Sequence, residues 1–346
     1  MIDLLSDTVT LPTPAMLAAI TNASLGDDVY NEDPTVSRLE ALAAAMLGKE
    51  AAALMPSGTM ANLVAMMSHC PRGAEVLVGD ETDIYNYEAG GASVLGGLVL
   101  HPVKTQPDGR LALADLAQAI RDPNDEQCAP AGLICLENTH NRCGGVVLPL
   151  SYLAEVRRFA TERGLPVHMD GARVFNAACA LDVPVSRVTQ YADSVQFCLS
   201  KGLSAPIGSM LVGSQAFIKS AKRLRKMLGG GMRQAGIIAA AGVVALEQMV
   251  GRLAEDHVHA RRLAAGLQEM PGIQLDLSTV QTNIVIFRVT DERFSWQSFL
   301  SALKQRGVRM GELGYGRVRA VTHYGISESD VDATLSAVAD VLRTGP

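Results

Sequence analysis

Short apolar runs alternate with stretches of helical spacing through the first two-thirds of the chain. The runs fall at Glu75–Gly79, 132–136, 165–170, 194–199 and 208–212. Between them lie segments such as 152–163, where Leu153, Val156, Phe159 and Ala160 recur at the spacing of one helix face. This alternation predicts a mostly parallel sheet covered by helices on both faces, an architecture that binds ligands at the carboxyl ends of its strands.

After about residue 251 the texture changes. A long helical segment leads to strand candidates at 282–289 and 318–326, with a helix over 296–306 between them and another after Ser327. The pattern predicts an α/β large domain over 1–250, N-terminal arm included, and a smaller α+β domain over 251–346. No internal repeat or low-complexity linker interrupts the chain, and 346 residues suit two domains.

Composition narrows the function classes. Hydrophobic residues make up 48% and charged residues 19%, enough for a substantial core. A net charge of −6, from 30 Lys+Arg against 36 Asp+Glu, gives no general nucleic-acid surface. The N-terminus lacks the basic and apolar regions of a secretory signal, and the longest apolar run, 235–246, falls short of the roughly 20 residues a membrane span requires. The expectation is a cytoplasmic protein with neither a membrane nor a nucleic-acid partner. Six cysteines without CxxC spacing read as reduced thiols. His257 and His259 read as surface residues, and nothing makes a case for a metal.

Three segments carry chemistry together. In 194–202, Val195, Phe197 and Leu199 alternate as one buried strand face, and Lys201 continues that parity where Gly202 begins a turn. A lysine at the carboxyl end of a buried strand suits Schiff-base chemistry, though a lone lysine is more often a solvated surface group. In 165–173, an apolar strand ends in Asp170, with Arg173 three residues on. A carboxylate there suits the pyridine nitrogen of pyridoxal phosphate; the plainer alternative is a helix cap and a surface ion pair. In 54–62, Ser57 or Thr59 can cap a following helix and Gly58 lets the backbone close on a ligand, so free amides there form a phosphate site or simply a capped helix. The order of phosphate site, ring-nitrogen carboxylate and lysine is far more specific than any one of them.

With these come residues 3–10 (DLLSDTVT), 26–36 (GDDVYNEDPTV), 88–91 (EAGG), 136–141 (LENTHN), 168–176 (HMDGARVFN), 199–203 (LSKGL) and 229–234 (GGGMRQ). Over almost its whole length the chain resembles the low-specificity L-threonine aldolases, pyridoxal-phosphate enzymes of fold type I. The resemblance implies that Lys201 bonds the cofactor covalently, Asp170 pairs with its pyridine nitrogen, and Arg173 lies near its phenolic oxygen and the substrate carboxylate. Gly58, Thr59 and Ser200 would approach the phosphate. Ser6 and Arg319 would hold the substrate carboxylate, with Glu88 close to the cofactor. Arg233 would reach a neighbouring subunit's phosphate and Tyr30 would sit in a loop near the interface, in a homodimer or homotetramer with shared active sites.

Two positions depart from the family's pattern. Asp83 stands where a histidine stacks on the pyridine ring, and Gln127 stands where a second histidine serves the substrate. Asp83 can still act as a base or accept a hydrogen bond; glutamine is no general base. The chain is then either an aldolase with a different base, or a scaffold turned to β-elimination, racemisation or aldehyde transfer. A non-catalytic binding subunit is disfavoured because Lys201, Asp170, Arg173 and Arg319 are all present.

Overall fold

A computed structural model describes residues 1–345. Its centre is a seven-stranded sheet in the order Ala51–Met55, Ser209–Gly213, Ser194–Cys198, Val167–Asp170, Ala131–Glu137, Glu75–Gly79 and Val99–Val103. Only Ser209–Gly213 runs against the others. The expected α/β class and mostly parallel sheet between helices are what the chain adopts.

Two of these strands have no counterpart in the sequence pattern. Ala51–Met55 reads AAALM, whose alanines favour a helix equally well. Val99–Val103 contains Pro102, which a central strand would not tolerate; this strand lies at the sheet edge, where a missing donor costs little.

The Gly58–His69 helix lies across one face of the sheet, with Ala61, Val64 and Ala65 packed against Ala53, Met55 and Leu211. On the other face the main core gathers Leu54, Ile134, Met169, Val195, Phe197 and Met210 with Val36, Leu39 and Leu47 of the Pro34–Leu47 helix. That helix begins with Asp33 capping two backbone amides and ends at Gly48 with φ of 64°, a left-handed stop that favours glycine.

The C-terminal part builds an antiparallel sheet, Gly311–Glu312, Val318–Val321, Ile284–Val289 and Ile273–Gln274. Helices Leu253–Gln268, Trp296–Gln305 and Glu328–Thr344 cover it around a second core of Leu263, Phe287, Phe299, Val318 and Val338. Leu4 belongs to this second core. Ile2–Asp3 pairs in parallel with Val308–Arg309, and Leu4 exchanges backbone hydrogen bonds with Arg309 and Val321. The N-terminal arm, expected with the large domain, therefore sits on the C-terminal core.

His257 is a correction to the sequence expectation: it is buried, and its Nε2 lies 3.1 Å from Asn176 Nδ2. No single helix among the described residues is long and apolar enough to cross a membrane.

Candidate active site

The parallel strands bring polar side chains into register at their carboxyl ends. Glu137 pairs with Asp170 and Asp170 with Gln196; one step earlier, Cys135 pairs with His168 and His168 with Ser194. Because strand side chains alternate, both rows project to the face under the Gly58–His69 helix, while Met169, Val195 and Phe197 point into the main core. The outer row opens into a cavity of about 380 Å³. Asp83, Glu88, Asp170, Ser200 and Lys201 line it together with Ser57, Gly58 and Thr59.

Lys201 arrives there by a route different from the expected one. The strand stops at Cys198, so Lys201 enters the cavity through the following turn and not by continuing the parity of Val195 and Phe197. Its carbonyl is held by the Thr10 hydroxyl at 3.0 Å and by the Ser204 amide. Burial disfavours the ammonium and Arg173 adds to that, but Cys198, Asp7 and Asp83 override both, and the amine stays charged with its pKa raised.

The helix start is shaped for an anion. Ser57 Oγ accepts from the Met60 amide at 3.2 Å, while the Gly58 and Thr59 amides have no partner among the described residues. A Cβ on Gly58 would lie 3.0 Å from Cys198 Sγ, so any larger residue here would press Cys198 back from the turn.

Asp170 sits at the opposite end. Its Oδ1 accepts from the Ala172 amide at 3.0 Å and from Gln196 Nε2; its Oδ2 accepts from Asn62 Nδ2 at 2.9 Å. A carboxylate has about four acceptor sites, so one position on Oδ2 remains. Burial raises the pKa of Asp170, with Lys201 opposing and Asp83 adding to the rise. A cationic ring nitrogen at the free position would reverse that rise, and on this ground the residues fit pyridoxal phosphate.

Asn62 also donates to Glu88 Oε1 at 2.7 Å. Burial, reinforced by the charge of Asp170, pushes the Glu88 carboxyl up to about 9, so at neutral pH it is an acid with a proton to donate.

Beside the cavity runs a chain of paired groups. Arg173 donates from Nε and Nη2 to Asp7, both at 2.7 Å, which leaves Nη1 available. Arg319 donates from Nη1 to Asn141 Oδ1 at 2.8 Å and from Nη2 to the Leu5 carbonyl at 3.2 Å. Asn141 Nδ2 then donates to Asp83 Oδ1 at 3.1 Å. Glu137, fully buried, holds this frame by accepting from the Asp83 amide at 2.7 Å and the Asn141 amide at 2.8 Å. Ser6 is buried beside it, capping a short 3-10 turn through the Thr8 amide.

Three expected site residues lie elsewhere in their own chain. Gln127 is exposed in the loop before Ala131–Glu137, and its side chain reaches only Asp125. Arg233 is exposed, paired with Asp27 at 2.9 Å and stacked over Tyr30, itself exposed. Conversely, sequence reasoning passed over Asp7, Asn62, Glu137, Asn141 and Gln196. The legible signal for Asn62, Glu137 and Gln196 was a polar residue inside an otherwise apolar run. A larger cleft, about 730 Å³ between Asp28 and Gln215, holds none of the expected site residues. No group of His, Cys, Asp and Glu among the described residues is arranged to hold a metal ion.

The chain matches the family model of the β-eliminating lyases over residues 3–290. It is 46% identical to low-specificity L-threonine aldolase 1 of Arabidopsis thaliana, covering 99% of this chain and 97% of that one. It is 47% identical to the low specificity L-threonine aldolase of Escherichia coli strain K12, covering 96% of each. Its fold is similar to that of a Leishmania major threonine aldolase, with a TM-score of 0.83 and 20% identity over 99% of this chain and 100% of that one. The chain thus belongs to the β-eliminating lyase family and, within it, to the low-specificity L-threonine aldolases.

Proposed function

We propose that this protein is a pyridoxal-phosphate-dependent aldolase that reversibly cleaves L-threonine, L-allo-threonine and related β-hydroxy-α-amino acids to glycine and an aldehyde. The observation that carries this is one cavity holding the Lys201 amine, the open acceptor position of Asp170 and the unpartnered amides of Gly58 and Thr59.

Bound there, pyridoxal phosphate supplies an electron sink for the pair released on Cα when the Cα–Cβ bond breaks. Lys201 would hold it covalently through its amine. Asp170 keeps the ring nitrogen protonated, while the 58–59 amides and Ser200 take the phosphate. Arg319, with Ser6, exchanges its Asn141 contact for the substrate carboxylate and so fixes the orientation of Cα. Arg173, immobilised by Asp7, directs Nη1 into the same region. Asp83 takes the proton of the β-hydroxyl. Glu88, neutral as it stands, donates a hydrogen bond towards the cofactor.

Gln127, Arg233 and Tyr30 act in a neighbouring copy's site, in a homodimer or homotetramer. Their exposure outside their own cavity is what such a role requires. The large unit spans 1–250 in sequence, with its first residues reaching over to pack on the small unit at 251–346, and the protein works in the cytoplasm. A second reaction on the same scaffold, β-elimination from a hydroxy-amino acid, is suggested by Asp83 standing where the resemblance implies a ring-stacking histidine, which would alter the grip on the β-hydroxyl. The first test is turnover of L-threonine by the cofactor-loaded protein and by Lys201→Ala. The parent releases glycine and the variant none; glycine release by the variant rejects the lysine assignment.

A further inference from the structure

The inner polar row, one step behind the cavity, has no place in the chemistry above, although its side chains are buried and paired. His168 and Ser194 are both fully buried, and neither lines the cavity. They join a continuous chain of side chains. His69 Nε2 lies 2.7 Å from Ser194 Oγ, which lies 2.8 Å from His168 Nδ1. His168 Nε2 lies 3.0 Å from Asn62 Oδ1, and Asn62 Nδ2 lies 2.9 Å from Asp170 Oδ2. His69 and Asn62 are seven residues apart on one helix, two turns on the same side, so a single helix face closes both ends of the chain over the sheet.

With Asp170 ionised, as its assignment to the ring nitrogen requires, the direction of every link follows from the carboxylate outward. Ionised Asp170 only accepts, so Asn62 must present its Nδ2 to it and its Oδ1 to His168. His168 must then carry its proton on Nε2. Its Nδ1 is left as an acceptor of a hydrogen bond from the Ser194 hydroxyl, and Ser194 Oγ accepts in turn from His69 Nε2. That assignment requires neutral rings. Burial, with His69 adding and a hydrogen bond to the Ser194 backbone opposing, lowers His168 to about 3, and burial lowers His69 to about 4 against the pull of Asp193, so both are neutral at ordinary pH. The reverse polarity would place Asn62 Oδ1 against a carboxylate, and dipoles aligned in one direction strengthen one another in a buried setting.

We propose that His69, Ser194, His168 and Asn62 form a one-way hydrogen-bonded chain that holds Asp170 as the charged acceptor of the cofactor's ring nitrogen. His168 and Ser194 are then positioning residues for a reaction they do not touch. This rests on the assignment of Asp170 to the ring nitrogen made above.

The test uses the holoprotein loaded with pyridoxal phosphate carrying 15N in its ring, read by the nitrogen resonance and by cofactor affinity. The parent shows a protonated ring nitrogen at neutral pH. In His168→Leu the resonance moves towards the unprotonated position and affinity falls roughly 10-fold or more, the scale known for losing the hydrogen-bond partner of a metal ligand. His168→Gln, whose amide can donate to Asn62 and accept from Ser194, keeps the parental resonance. Ser194→Ala, a smaller deletion that carries the test should His168→Leu fail to fold, shifts in the same direction as the leucine variant. Parental resonances in His168→Leu and Ser194→Ala, with a shift in Asp170→Asn, overturn the chain while sparing Asp170. A parental resonance in Asp170→Asn removes the assignment beneath it and the proposal together. An Nδ1–H tautomer of His168 in 15N-histidine spectra overturns the direction outright.

Discussion

Asp7 and Arg173 meet in a bidentate pair, Nε to Oδ2 and Nη2 to Oδ1, both at 2.7 Å, with Asp7 fully buried. The pair ties the N-terminal arm, seated on the C-terminal core through Leu4, to the turn after the Val167–Asp170 strand. It also immobilises the Arg173 guanidinium proposed above to act beside the cavity. Burial alone would raise the Asp7 carboxyl; Arg173, helped by Lys201 and Arg319, holds it well below the usual carboxylate range.

Removing Asp7 leaves a buried, unpaired guanidinium. Asp7→Ala is expected to lower unfolding stability by about 3–5 kcal/mol, measured by urea titration at neutral pH. The sign with pH follows from the depressed folded pKa. The pair's contribution is present above the unfolded carboxylate value and is lost as pH falls below about 5. The parent therefore loses stability on acidification more steeply than Asp7→Ala, and equal slopes reject the pair as the cause.

Glu88 has the opposite sign. Its folded pKa is raised from 4.5 to about 9, so its contribution is present below the lower value and is lost as pH rises through the higher one. Glu88→Gln keeps the Asn62 contact without the ionisation. In cofactor-free protein the variant gains on the parent as pH rises from neutral towards 9, measured by urea midpoints. A constant difference between the two shows that Glu88 is already ionised when neutral pH is reached.

Asp83→Asn keeps an oxygen for Asn141 but cannot take a proton. Turnover of β-hydroxy amino acids is expected to fall by about 10²–10⁴, the scale of a lost general base, while cofactor affinity stays within a factor of a few. An unchanged rate makes Asp83 a bystander.

Gly58→Ala brings a methyl within 3.0 Å of Cys198 Sγ at the helix start. Relief of that contact costs about 1–3 kcal/mol and moves the amides assigned to the phosphate. Cofactor affinity, followed by absorbance titration, is expected to drop by roughly tenfold or more; parental affinity places the phosphate elsewhere.

The sheet was legible wherever an apolar run was short and closed by polar residues, as at Glu75–Gly79 and 194–199. It was not legible at Ala51–Met55, whose alanines carry no strand preference, or in the strand order, which long-range pairing decides. The core of the site followed the same rule. Lys201, Asp170 and Gly58 each sit where a buried element ends, and they share one cavity. Asp7 was hidden because its role depends on a partner 166 residues away. For Asn62 and Gln196 the signal, one polar residue in a buried run, was legible, but it carries no sign of what that residue faces. Gln127, Arg233 and Tyr30 lie on exposed surface outside the cavity, where spacing along one chain gives no sign of function.

The most direct measurement is the product balance of the cofactor-loaded protein on L-threonine, L-allo-threonine and L-phenylserine. Aldol cleavage by Lys201 and Asp83 predicts glycine and the matching aldehyde in equal amounts from each. Ammonia and a 2-oxo acid without glycine, or a cofactor-loaded protein that releases nothing, would contradict it.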